Sequence, residues 1–139
     1  MTRDYPEWIR HMPDYGHDLQ FGYFLLPDTR DPAATVETAQ LVDKLGYDLI
    51  GIQDHPYQQR HFDVIALMAY VLSRTERVRV FPDVANLSLR PPAILAKTIA
   101  SLDQLSNGRM ELGLGSGGFQ QTAQAMGAPV WTPGKALQA

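Results

Sequence analysis

Residues 74–118 read RTERVRVFPDVANLSLRPPAILAKTIASLDQLSNGRMELGLGSGG, and the order of signals within them decides the fold class. The run VRVF at 78–81 is short, apolar and β-branched, the signature of a strand. It leaves through Pro82, Asp83, Val84, Ala85 and Asn86. Pro91 and Pro92 then open a helix, because proline is tolerated only in a first helical turn. Leu95, Ile99 and Leu102 follow at helical spacing, and Gly108 closes the helix. A second strand, MELGL at 110–114, ends in Gly115-Ser116-Gly117-Gly118. Strand, helix and strand in this order make a parallel β/α unit.

The same pattern recurs upstream. FGYFLL at 21–26 predicts a strand ended by Pro27. Asp31 and Pro32 are an N-cap and a first-turn proline, followed by Ala34, Thr38, Leu41, Val42 and Leu45 at helical spacing and a closing Gly46. LIGI at 49–52 predicts the second strand. Asp63 caps a helix whose Ile65, Met68, Ala69 and Leu72 share a face. Downstream, residues 119–126 predict a short helix. The units repeat in pattern only, and pattern does not separate an open doubly wound sheet from part of a (β/α)8 barrel. Residues 1–19 hold charges, prolines and aromatics and read as an arm, with the β/α domain at 20–139.

Bulk properties bound the function. The chain has 139 residues, 45% of them hydrophobic and 19% charged, and a net charge of −3. That length suffices for a core burying roughly 70% of the unfolded chain's surface. The basic residues are scattered, which argues against a nucleic-acid surface. Cysteine is absent, which removes disulfides and thiolate chemistry and fits a reducing compartment. No apolar run approaches the ~18 residues of a membrane span. The expectation is a cytoplasmic protein with a small-molecule substrate and no nucleic-acid or membrane partner.

In either architecture ligands bind at the carboxyl ends of the strands. Four segments therefore matter, and each has two readings. Gly115, Ser116, Gly117 and Gly118 form either an anion-binding turn of backbone N–H groups or a tight turn needed for packing. They match no dinucleotide fingerprint. Asp54 and His55 pair a carboxylate with an imidazole, either for acid–base work or as a turn cap and a local hydrogen bond. Asp83, Val84, Ala85 and Asn86 either aim backbone groups at a planar ligand or form an ordinary loop. Pro27 and Asp28 end the first strand. His55, His61 and Asp63 match no standard metal spacing, so no metal is expected. Met68 and Tyr70 read as core, and Arg90 as a surface residue with an anion contact as the alternative.

FGYFLLP at 21–27, LGYDLIGIQDHPYQ at 45–58 and the quoted stretch at 74–118 together resemble the luciferase-like monooxygenase family, over about residues 17–134. The LRPP helix start, SLDQLSNGR and the glycine-ended strand are the most specific part. The resemblance implies a TIM-type barrel, of which these four β/α units are the N-terminal half, binding FMN or a deazaflavin at its strand ends. It implies an oxidoreductase, either reducing or incorporating oxygen with reduced FMN or moving a hydride with the deazaflavin. His55 resembles the strand-two histidine beside the cofactor's reactive ring, and Asp54 would help place that ring. Asp83–Val84 resembles the family's non-prolyl cis peptide against the ring. Ala85 belongs to the same segment, and Asn86 would bond the ring's polar edge. Gly115, Ser116 and Gly117 would line the ring edge or tail. Some deazaflavin sugar dehydrogenases carry a proton-donating glutamate just after these glycines, where this chain has Gly118.

A complete barrel takes roughly 250 residues. A half barrel exposes two strand edges and one side of the barrel interior, which favours association. The expected partners are therefore a missing carboxyl-terminal half, a separate polypeptide or a second copy of the chain, and a flavin reductase in the FMN case. A half barrel that binds no flavin and serves only as an interaction module is the alternative.

Overall fold

The computed structural model describes residues 16–129 and 131–136. Most of the expected N-terminal arm lies outside the described residues. Strand β1 (Gly22–Leu25) leads to helix α1 (Pro32–Leu45), β2 (Leu49–Ile52), α2 (Val64–Arg74) and β3 (Arg79–Pro82). A two-residue strand β4 (Ala85–Asn86) follows, then α3 (Pro92–Leu105), β5 (Leu114–Gly115), α4 (Gln120–Ala125) and α5 (Pro133–Ala136). β1, β2 and β3 form a parallel sheet in that order, with Gly22 opposite Leu49 and Leu49 opposite Arg79.

The helix starts follow from their caps. The Asp31 carboxylate accepts from the Ala34 N–H at 3.0 Å and the Asp63 carboxylate from the Ala66 N–H at 3.0 Å. α1 ends at Gly46, whose φ of +85° is the left-handed conformation that glycine adopts without a Cβ penalty. Ile50, Ile52, Val78 and Val80 point toward the helices and bury against Ala39, Val42, Val64, Met68 and Val71. Each fully buried Val, Ile or Met contributes about 1.5–3 kcal/mol. By the strand alternation, Phe24, Gly51 and Phe81 share the opposite face. Tyr70, expected in the core, is instead 47% exposed and stacks under the Arg74 guanidinium at 5.0 Å.

The fourth strand differs from its expectation. Residues 110–114 do not form one continuous strand. Met110 makes a single parallel bridge to Val80, and only Leu114–Gly115 pairs regularly, with Ala85–Asn86. Five steps separate Val80 from Ala85 on one side, but four separate Met110 from Leu114 on the other. The extra residue is a β-bulge at Asp83 and Val84, which interrupts the ladder. Asp83 still donates its N–H to the Ile52 carbonyl at 2.7 Å, so the bulge stays tied to β2.

Candidate functional site: the cradle at the strand ends

The carboxyl ends of β2, β3 and β5 converge on a cavity of about 350 Å³. β2 delivers Asp54 and His55, the bulge delivers Asp83 and Val84, and β4 supplies Ala85 and Asn86. Gly115, Ser116 and Gly117 close the far side. The nine residues that the family resemblance assigns to catalysis and the ring thus line one cavity together with Gly118, whereas Asp28, after the first strand, lines a neighbouring one.

The peptide bond between Asp83 and Val84 is cis. The Val84 side chain lies directly over Gly115, where an added Cβ would stand 2.3 Å from Val84 Cγ2. A Cβ on Gly113 would stand 2.6 Å from the Pro82 carbonyl oxygen. The glycines of this segment therefore serve the close approach of the bulge. Gly117 sits at φ +88°, and a Cβ there would meet Asn86 Oδ1 at 2.9 Å. Asn86 itself is buried. Its Oδ1 accepts from the Ser88 hydroxyl at 2.6 Å, which leaves the amide Nδ2 without a protein partner among the described residues.

The Asp54 carboxylate is fully engaged. Arg90 clamps it through Nε and Nη2, both at 2.7 Å, and the Asn86 N–H donates to it at 2.9 Å. The Asp54 side chain is 1% exposed and that of Arg90 17%. Arg90 Nη2 also reaches Asp63 at 2.8 Å, so one guanidinium ties the end of β2, the start of α2 and the segment before α3. The bonds to Asp54 raise the Arg90 pKa above its ordinary value against the opposing effect of burial, with Asp63 adding to the rise. Burial pushes the Asp63 carboxyl up, but Arg90 and the helix-cap bond outweigh it and hold the carboxyl low. Arg90, read from sequence as a surface residue, is thus the counter-ion beneath the cradle. Its partner lies 36 residues away, beyond any local signal.

His55 accepts or donates one hydrogen bond, Nδ1 to the Tyr57 hydroxyl at 2.7 Å. Phe119 packs edge-on against the His55 ring at 5.7 Å and against Tyr57 at 6.0 Å. Burial, helped by the charge of Asp54, pushes the Tyr57 phenol up from its usual pKa. His61 lies 6.4 Å from His55 between ring centroids, and its buried Nδ1 has no partner among the described residues. Beyond Tyr57 opens a second cavity of about 590 Å³, against Leu26, Asp28 and Arg60. Neither Tyr57 nor Phe119 stands in a strand-end segment of the sequence. An aromatic two residues beyond a strand-end histidine was the available signal for Tyr57.

Whether these residues suit a planar ring is decided by the surfaces they present. The glycine segment bears no side chain except Ser116, Val84 offers an apolar surface at 42% exposure, and Asn86 offers an amide donor. An apolar platform with a few fixed polar groups at its edge fits a flat heteroaromatic ring.

The chain is 34% identical over 105 residues to an F420-dependent glucose-6-phosphate dehydrogenase of Amycolatopsis mediterranei, covering 71% of this chain and 32% of that protein. Its structure resembles that of the coenzyme F420 dependent tetrahydromethanopterin reductase of Methanopyrus kandleri, with a TM-score of 0.68 and 28% identity. The match covers 81% of this chain and 31% of that one. It also resembles the oxygenating constituent of 3,6-diketocamphane monooxygenase of Pseudomonas putida, a type II Baeyer–Villiger monooxygenase solved with FMN. There the TM-score is 0.67 and the identity 25%, over 79% of this chain and 33% of that one. The chain spans about a third of the length of the relatives it matches. The profile of the luciferase-like monooxygenases matches residues 19–138, and the chain belongs to that family, as the β/α units of a TIM-type barrel.

Proposed function

We propose that this chain is the ring-binding part of a flavin- or deazaflavin-dependent oxidoreductase acting on a small organic substrate. The observation that carries the reading is the convergence of His55, the Asp83–Val84 bulge, Asn86 and the glycine turn on one cavity at the strand ends. The cofactor, FMN or the deazaflavin F420, supplies the electron chemistry when bound, and the chain supplies binding, orientation and electrostatics.

Each residue then has a physical task. Val84 and the glycine segment form the platform. Asn86 donates at the ring's polar edge. Asp54, saturated by Arg90 and the Asn86 N–H, acts through position by holding the β4 backbone where it is. His55 is the proton-handling group beside the ring. Gly118 offers no acid, so a sugar-dehydrogenase activity that needs a glutamate there is not part of the proposal. The FMN form of this reading needs a reductase partner to supply reduced cofactor.

Titration of the purified chain with FMN and with F420, followed by fluorescence and visible absorption, tests the reading. Saturable quenching or a shifted spectrum with one of them supports it and names the cofactor. A folded chain that changes neither spectrum at high concentration leaves the half-barrel as an interaction module.

A further inference from the structure

The ring reading assigns a role to His55 but none to the group that holds it. We propose that Tyr57 is a positioning residue that fixes the neutral His55 imidazole with its proton on Nε2. The histidine then meets the cradle as a hydrogen-bond donor; this rests on the cradle being the ring site.

The two groups lie 2.7 Å apart, Tyr57 hydroxyl to His55 Nδ1. A neutral imidazole has one donor and one acceptor nitrogen, and a phenol has one proton to give. Among the described residues that proton has no acceptor other than Nδ1. If Nδ1 accepts, Nε2 must carry the ring proton. Nε2 has no protein partner among the described residues, and His55 lines the cavity, so this donor is left for a ligand. The phenol's raised pKa, from burial and from the Asp54 charge, keeps the hydroxyl protonated and able to donate. Phe119 stands edge-on to both rings, which limits rotation of either away from the other. Among the described residues no carboxylate bonds to His55, and Asp54, its sequence neighbour, is committed to Arg90. Tyr57 also borders the second cavity, so it separates the cradle from that space.

Long-range ¹H–¹⁵N spectra of the full chain at about pH 8, where an ordinary imidazole is neutral, read the tautomer directly. The His55 signals are identified by their loss in His55→Gln. The expected result is a proton on Nε2 and an Nδ1 resonance displaced by an accepted hydrogen bond. In Tyr57→Phe that displacement disappears, and the preference for the Nε2–H form falls about fivefold, the worth of one net hydrogen bond. A proton on Nδ1 in the unmodified chain overturns the proposal. So does an Nδ1 signal that is the same with and without the Tyr57 hydroxyl, since a merely structural tyrosine would leave it unmoved. FMN and F420 are titrated into both proteins in the same series. Binding of neither, with the tautomer pattern as expected, removes the ring reading and leaves the Tyr57–His55 pair. Binding of one, with the proton on Nδ1, removes the Tyr57 proposal and leaves the ring reading.

Discussion

Arg90 is the residue on which most of the cradle depends, because its guanidinium is the counter-charge for a carboxylate that is almost wholly out of water. Removing one partner of such a pair leaves an uncompensated buried charge. Arg90→Leu is expected to lower stability by about 3 kcal/mol in urea unfolding. Asp54→Asn introduced together with Arg90→Leu recovers part of the loss, because the buried charge is then gone and only the half-exposed Asp63 carboxylate lacks its cation. Equal loss in the single and the double variant would show that Asp54 is not what Arg90 compensates. Gly115→Ala tests the close approach at the bulge: an added Cβ stands 2.3 Å from Val84 Cγ2, so one of the two must move. The expected outcome is a loss of FMN or F420 affinity of about tenfold, the scale of a 1–3 kcal/mol overpacking cost, measured by fluorescence titration, with the helical circular dichroism retained. At this scale the sequence was readable where a residue acts on its neighbours and silent where it acts at a distance. His55 and Asn86 stand directly after strands in the sequence, and both line the cavity at the strand ends. Nothing near Arg90 in sequence marks the two carboxylates it joins.

Among the elements, the helices were the most legible part of the fold. Asp31-Pro32 and Asp63 are capping signals whose hydrogen bonds form as expected, and Gly46 ends α1 in the left-handed conformation. The fourth strand was the least legible. MELGL reads as five residues of continuous strand, but pairing depends on the partner, and the partner is bulged at Asp83 and Val84. One element-level contact is long-range and testable. The Asp43 carboxylate near the end of α1 accepts from the N–H groups of Glu76, Arg77 and Val78 at 2.8, 3.0 and 2.7 Å. It thereby fastens α1 to the start of β3. Burial raises the Asp43 pKa, the three N–H donors outweigh that, and the net position is below the ordinary value. A carboxyl depressed in the folded state stabilises the fold above its unfolded pKa, and the contribution is lost as pH falls through the folded value. Asp43→Asn is expected to cost about 2 kcal/mol near neutral pH. The gap from the unmodified chain should shrink below about pH 4, as followed by urea unfolding across pH. A gap that stays constant down to pH 2 would contradict this account.

For the whole molecule, the described residues form an open sheet. β1 lies at its edge with Phe24 49% and Leu26 58% exposed, and the strand-four segment has no further strand beyond it. Unpaired edges and uncovered apolar surface drive association. Sedimentation velocity of this chain is expected to show a concentration-dependent shift to dimers or larger species, and a single monomer species across a hundredfold range of concentration would contradict that. The barrel class was readable from the alternation of strands and helices only up to the choice between two parallel-sheet architectures, and family resemblance decided between them. In the proposed function the strand ends form one cradle for a flavin-type ring. Its most direct test is the amide ¹H–¹⁵N spectrum of the chain titrated with FMN and, separately, with F420. The account predicts that one of them shifts the amides of His55, Val84, Asn86, Gly115 and Gly117 together, with those of α1 unchanged. Amide shifts confined to other surfaces, or none with either cofactor at millimolar concentration, would contradict it.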